Sequence, residues 1–262
     1  MHPIRVFQSH DEYYDQVFTL FIKSTNQKQQ ADAWLRDFLS RYPANQRAVD
    51  AGAGNGILTR PVAEHFAEVV AVEPNPSLLA ELAASGANIR ILPDTIEEAP
   101  VEEGRAEFAL CSHVLYYVPR ADWEALLQRL LSWVQPGGTL IVVLQAEDTD
   151  CMKFYSAVRG HGFPITAFMQ ELAQQPEVKS VELFRQPSRI TTKSEEELVM
   201  ILEFMANLTP FQDSERIPTQ EELQEHAGSV GHHGSDGHVL SCDQLFCVIT
   251  RADGPAPSEI CR

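Results

Sequence analysis

Three observations in this sequence predict an α/β fold with a mostly parallel sheet and helices on both faces. Between Ala48 and Leu144, buried-strand patterns alternate with helical patterns across short turns. The first of these strands runs straight into a glycine turn. At 262 residues, 44% hydrophobic and 22% charged, the chain is long enough for one large α/β domain or a core with an added lobe.

The elements follow in order. Ala48 to Gly52 reads as a short strand entering the turn, and Leu58 to Phe66 continues as a helix. Glu68 to Val72 is a second apolar strand, ending in the carboxylate of Glu73. Pro76 suits a helix start, where its missing N–H would be unpaired in any case, and Ser77 to Ala84 follows with good helix formers. Asn88 to Leu92 is a third strand and Ala106 to Cys111 a fourth. From Arg120 to Val134, Trp123, Leu126, Leu127, Leu130, Leu131 and Val134 form a helical stripe. Gln135-Pro136-Gly137-Gly138 breaks that helix before a fifth strand, Thr139 to Leu144. Strands and helices alternating at this spacing pair in parallel.

The flanks read differently. Residues 11–42 predict two helices, 150–176 helix, Ser180 to Phe184 strand, and Glu195 to Leu208 a strong helix. Ala227 to Gly237, rich in Gly, Ser and His, predicts a loop. Val239 to Ile249 predicts one final strand, and Ala252 to Arg262 a frayed tail. The expected division is a helical segment over 1–45, a core over 46–148, further helices and the last strands over 149–251, and a flexible tail over 252–262.

Composition narrows the function. Twenty Lys and Arg against 37 Asp and Glu give a net charge of −17, which repels phosphate backbones, so no nucleic-acid partner is expected. The acidic runs Glu195-Glu196-Glu197 and Glu221-Glu222 read as solvated helix faces. The N-terminal residues lack an apolar signal region, and no stretch approaches the ~18 apolar residues of a membrane span, so no membrane partner is expected. Five cysteines without a C-x-x-C pair argue against a disulfide framework or zinc knuckle. The cytoplasm is the expected location. No metal is expected either: His226, His232, His233 and His238 lie in the Gly/Ser-rich stretch and lack helical ligand spacing.

The sharpest constellation is Asp50-Ala51-Gly52-Ala53-Gly54-Asn55-Gly56 between a strand and a helix. Glycines let the backbone turn tightly and approach a ligand, and a helix start offers free N–H groups. A glycine triplet alone also suits dinucleotide enzymes. The spacing G-x-G-x-G, with an acid two residues before the first glycine, resembles motif I of class I S-adenosylmethionine-dependent methyltransferases. Glu73, closing the second strand, is placed to accept hydrogen bonds from both ribose hydroxyls. The bland reading of Glu73 is a solvated strand end. A nicotinamide enzyme would need a hydride-acceptor site and a second nucleotide-binding half, and neither is evident. The resemblance implies S-adenosyl-L-methionine as cofactor and a Rossmann-like seven-stranded, mostly parallel sheet. The cofactor-binding set it implies is Asp50, Gly52, Ala53, Gly54, Asn55, Gly56, Glu73, Pro74, Asp94, Thr95, Ser112, His113 and Gln27. Asp94, after Pro93, reads almost as well as an ordinary turn residue.

For the methyl acceptor, the Asn/Asp-Pro-Pro-Tyr motif of base-nitrogen and glutamine methyltransferases is absent after strand four, as is the carboxylate set of metal-dependent catechol enzymes. The chain instead resembles the histamine N-methyltransferase family. The likeness runs through Phe7, Tyr13, Ser24-Thr25-x-Gln27, Leu115-Tyr116-Tyr117-Val118, the Leu140–Val143 strand, Phe163-Pro164, the Leu198–Leu208 helix, and Val239-Leu240 with Leu245. It implies an N-terminal helical lid, a helical substrate-side insertion, and aromatics enclosing a small flat cation. Three polar substrate positions of the family differ here: Asn26 replaces an acid, His113 an amide, and Asp243 an amide.

The expected acceptor is thus a small amine, imidazole or amino-acid-like molecule, held by Tyr13, Tyr14, Asn26, His113, Tyr117 and Asp243. His113 and Tyr117 are the expected catalytic pair, orienting the nucleophile and taking up its proton. Tyr117 reads equally well as a core tyrosine. A small-molecule O-methyltransferase and a non-catalytic cofactor-binding protein are the alternatives.

Overall fold

The computed structural model describes residues 2–7, 11–43, 45–212, 215–229 and 237–253. The chain forms two compact units. One, the sheet unit, comprises Ala31–Leu144, Ile165–Phe184 and Leu245–Arg262; the other, the helical unit, comprises Met1–Gln30, Gln145–Pro164 and Arg185–Gln244.

The sheet unit carries β1 (Arg47–Ala51), β2 (Glu68–Val72), β3 (Ile89–Leu92), β4 (Ala106–Ser112), β5 (Val134–Gln145), β6 (Val178–Gln186) and β9 (Gln244–Arg251), the ends of β5, β6 and β9 crossing its boundary by a residue or two. Their order is β3-β2-β1-β4-β5-β9-β6, and the pairings from β3 through β5 are parallel. The expected seven-stranded, mostly parallel sheet is therefore present. Parallel neighbours need crossovers, supplied here by α3 (Thr59–His65), α4 (Leu79–Ala83) and α5 (Trp123–Trp133). A core of Leu35, Leu39, Val62, Phe66, Phe108, Ile141 and Phe246, with Trp34 and Phe38 of α2 (Gln27–Ser40) packed against it, holds the sheet. Trp34 stacks on Phe246 at 4.1 Å. α7 (Ile165–Leu172) buries Phe168 beside Trp123.

The helical unit contains α1 (Glu12–Ser24), the first turn of α2, α6 (Asp150–Arg159), α8 (Glu195–Ala206), α9 (Gln220–Ser229), and a small antiparallel sheet of β7 (Arg189–Thr192) with β8 (His238–Ser241). The acidic run Glu195-Glu196-Glu197 has a specific place: it is the first turn of α8, where carboxylates complement the helix dipole. Ser194 caps that turn by accepting the Glu197 N–H.

Four expectations need correction. The apolar run Val239 to Ile249 is two strands, because Cys242 and Asp243 bend the chain between sheets; the Cys242 N–H donates to the Ser188 carbonyl, and Asp243 accepts the Ser188 N–H. The helical stretch 150–176 is two helices, since Gly160 adopts the left-handed conformation that ends α6. Pro136 to Gly138 lie inside β5 as a bulge: Ala106 pairs with Val134 and Phe108 with Thr139, leaving four residues opposite one. Residues 227–229 continue α9, while 230–236, with His232 and His233, lie outside the described residues, as do tail residues 254–262. Among the described residues no helix is long and apolar enough to cross a membrane.

Candidate cofactor site

In an open parallel sheet, a crevice forms beyond the carboxyl ends of the strands where the order reverses. Here that point lies between β1 and β4, since β2 and β3 extend one way and β5 the other. The register aligns Ala51 with both Val72 and Cys111, and Val72 with Leu92. Gly52, Glu73, Pro93 and Ser112 thus each stand one residue beyond a common row. The residues singled out from the sequence converge there because the strands end together.

Gly52, Gly54 and Gly56 all have positive φ, +75°, +57° and +82°, a region that L side chains enter at a cost. Their surroundings differ. A Cβ on Gly52 would stand 2.3 Å from Val114 Cγ2, and one on Gly56 2.1 Å from Ser85 Oγ. A Cβ on Gly54 would meet nothing within 4 Å, so Gly54 marks the open side of the turn.

Four N–H groups of the turn are taken up within the protein. Gly52 and Ala53 both donate to the Val72 carbonyl, Gly56 to the Ala53 carbonyl, and Gly54 to Glu73. These bonds make the bend rigid, and what the glycines contribute is close approach of the backbone itself. α3 begins only at Thr59, beyond the turn.

Glu73 is 7% exposed. Its Oε2 accepts the Gly54 N–H at 2.8 Å and its Oε1 the Asn75 N–H at 2.8 Å. A carboxylate offers about four lone-pair sites, so each oxygen retains one. Asp50 is buried, and its Oδ2 accepts from the Thr59 hydroxyl at 2.6 Å, tying the strand end to α3. The Asn55 amide donates to Glu81. Asp94 is half-buried, while Pro74 and Thr95 are exposed.

At the end of β4, the Ser112 hydroxyl is buried with no hydrogen-bond partner among the described residues. His113 has φ +60°, the one positive value among described non-glycine residues. Its N–H donates to the Val143 carbonyl, and its ring stacks on Tyr116. Backbone strain of this kind concentrates at functional sites. The Leu115-Tyr116-Tyr117-Val118 stretch is a short 3-10 turn in which Tyr116 is 5% exposed and Tyr117 63%. Tyr117 is therefore no core residue, and the tyrosine beside His113 is Tyr116, which sequence reasoning passed over.

A family model described as a methyltransferase domain matches residues 24–203. The chain belongs to the methyltransferase-domain family. Uncharacterized methyltransferases of Mycobacterium tuberculosis and Mycobacterium bovis are 33% identical over 105 residues, 40% of this chain and 42% of theirs. A ubiquinone biosynthesis O-methyltransferase of Xanthomonas axonopodis is 30% identical over 105 residues, 38% of this chain and 43% of that one. The match thus spans about two fifths of these curated relatives. Among solved structures, a Bacillus halodurans protein described as a putative methyltransferase shares the fold with TM-score 0.58 and 13% identity, over 85% of this chain and 98% of its own. A Thermotoga maritima protein described as a possible histamine N-methyltransferase has TM-score 0.51 and 16% identity, over 90% and 93%. At these identities both show the fold alone, so the narrower likeness to the histamine N-methyltransferase family is not shown.

S-adenosylmethionine is the cofactor of this methyltransferase fold, and the residues present fit it. The open side at Gly54 admits a ligand against the backbone, Glu73 has a lone pair on each oxygen for a diol, and Ser112 has an unpartnered hydroxyl.

The remaining expected site residues of the chain lie in the helical unit, where the structure commits several of them. The Gln27 side chain is buried and donates to the Cys242 carbonyl. Asn26 accepts the Arg189 N–H. Asp243 gives one oxygen to Arg185 at 2.8 Å and the other to the Ser188 N–H, so its charge is already paired. The Tyr13 hydroxyl donates to Glu203 at 2.6 Å, and Tyr14 stacks on Phe18. Burial, reinforced by the hydrogen bond to Glu203, pushes the Tyr13 phenol up to about 12. Glu203 is 3% exposed and also accepts from the Arg5 N–H and the Gln220 amide. It went unread in the sequence, although an acid inside the apolar run Leu198 to Phe204 was a usable signal.

Proposed function

We propose that this protein transfers a methyl group from S-adenosylmethionine to a nitrogen of a small molecule: an amine, an imidazole or an amino-acid-like compound. The observation that carries the cofactor half is the Gly54–Glu73 arrangement at the sheet's reversal point, 2.8 Å from N–H to carboxylate. Bound there, the cofactor supplies an electrophilic methyl on a sulfonium. The protein's own work is to align and desolvate the reacting pair, which needs no covalent enzyme intermediate.

Gly52 to Gly56 hold the backbone close to the ligand, and Glu73 takes the ribose hydroxyls on its two remaining lone pairs. Ser112 offers its hydroxyl to a polar group of the cofactor. His113, at the end of β4, orients the acceptor and takes up the proton that its nitrogen must lose. An imidazole suits this role because it exchanges a proton near neutral pH. The charge of −17 favours a cationic acceptor by raising its local concentration. Since Asp243 is already paired with Arg185, we assign it no part in holding an ammonium group.

The likeness to an O-methyltransferase supports a second reading, transfer to a hydroxyl or carboxylate oxygen, with the same cofactor site. Methyl-labelled S-adenosylmethionine incubated with matched panels of amines, imidazoles, phenols and carboxylic acids separates the two. The first reading predicts label on nitrogen compounds, stable to alkali. Label confined to oxygen acceptors overturns the N-methylation reading. No transfer to any panel member, with cofactor bound, overturns both.

A further inference from the structure

We infer that Tyr116 is a positioning residue for the His113 imidazole, and that Trp123 fixes Tyr116 in turn. The inference rests on the reading of His113 as the acceptor-side base.

His113 leaves β4 with φ +60°, so the chain turns sharply at the residue whose ring must be aimed. Its backbone is pinned by the bond from its N–H to Val143 at 2.9 Å, but nothing in that bond sets the plane of the ring. The ring of Tyr116 does so: the centroids are 5.8 Å apart and the planes 18° from parallel, an offset stack. The neighbouring tyrosines divide the labour. Tyr116 is buried as a wall and Tyr117 faces solvent.

The wall is itself anchored. The indole N–H of Trp123 reaches two carbonyls of the turn, Leu115 O at 3.2 Å and Val118 O at 3.0 Å. Those two carbonyls bracket Tyr116. Trp123 is 1% exposed, edge-on to Phe168 and covered by the Arg120 guanidinium, so it cannot follow a shift of the turn. A group that must present a lone pair to an acceptor loses up to about 100-fold in rate for an ångström of misplacement. The chain from Trp123 through the turn and Tyr116 keeps His113 from paying that loss.

The test uses the full chain and reads the His113 ring directly by proton–carbon NMR, assigned by the signal lost in His113→Asn. The stack predicts that the wild-type His113 ring protons lie upfield of the exposed histidines. Tyr116→Phe keeps that shift and at least half of kcat. Tyr116→Leu loses the shift and at least tenfold in kcat, with cofactor affinity within twofold of wild type. Trp123→Phe keeps a smaller aromatic ring without the indole N–H and lessens the shift, which holds the test open even where Tyr116→Leu fails to fold. A wild-type signal with no upfield shift overturns the inference, as does Tyr116→Phe falling as far as Tyr116→Leu. A protein with the ring shift intact but no turnover would instead count against the methyltransfer reading.

Discussion

The Gly54 N–H donates to Glu73 Oε2 at 2.8 Å, joining the glycine turn after β1 to the acid that ends β2. One carboxylate thus does two things: it closes the bend, and it faces the ligand side with lone pairs to spare. A hydrogen bond to a charged acceptor contributes about 1.5–3 kcal/mol. Glu73 accepts two such bonds, so Glu73→Ala should lower unfolding free energy by about 3–6 kcal/mol, and Glu73→Gln by less, since its amide oxygen still accepts one N–H. Urea denaturation of both variants checks this ordering.

The three glycines should respond unequally to alanine. At Gly54 only the left-handed backbone resists, costing about 1–2 kcal/mol. Gly52→Ala adds a clash with Val114 and Gly56→Ala one with Ser85, and overpacking of that kind costs a further ~1–3 kcal/mol. Denaturant midpoints should rank Gly54→Ala above the other two. Because its methyl points into the open side of the turn, Gly54→Ala should nonetheless lose cofactor affinity while remaining folded, as measured by calorimetry.

At His113 the backbone and the ring are separable. His113→Ala keeps the strained φ and removes the imidazole, whereas His113→Gly removes both. The glycine variant should be more stable than the alanine variant by about 1 kcal/mol, reversing the usual preference for alanine. Both should lose turnover far more than cofactor affinity. Equal stability of the two variants would show that φ is not held positive in solution.

Tyr13 gives a pH dependence with a definite sign. Its phenol is raised from the ordinary 10 to about 12, by burial first and then by the bond to Glu203. The fold therefore favours the protonated phenol. That contribution is complete below pH 10 and disappears as pH rises through 12, because the unfolded chain ionises first. Ultraviolet titration should show a late-ionising tyrosine in the wild type, moved toward 10 in Glu203→Gln, where the neutral amide no longer repels the phenolate.

The cofactor cradle was legible in the sequence because its parts are contiguous or end-aligned. Gly52-x-Gly54-x-Gly56 sits on one bend, and Glu73 ends the next apolar strand. The bend at Cys242-Asp243 was not legible, since Val239 to Ile249 is apolar enough to read as one strand and the bonds that turn it come from Ser188. Tyr116 and Tyr117 are adjacent in a short turn that carries no periodic signal, so only the fold shows which one is buried. Glu203 meets Tyr13 across 190 residues of chain, a pairing no local pattern encodes. The occupied N–H groups of Gly52 and Ala53 were equally hidden, because they depend on where the Val72 carbonyl lies.

In the function proposed here, the turn at Gly54 and the carboxylate of Glu73 form an S-adenosylmethionine cradle. Calorimetric titration of S-adenosylmethionine into wild type and Glu73→Ala, each shown to be folded, tests it most directly. The expected result is one-to-one binding to wild type, weakened at least tenfold in Glu73→Ala. A folded wild type that binds none, or two proteins that bind equally well, would contradict it.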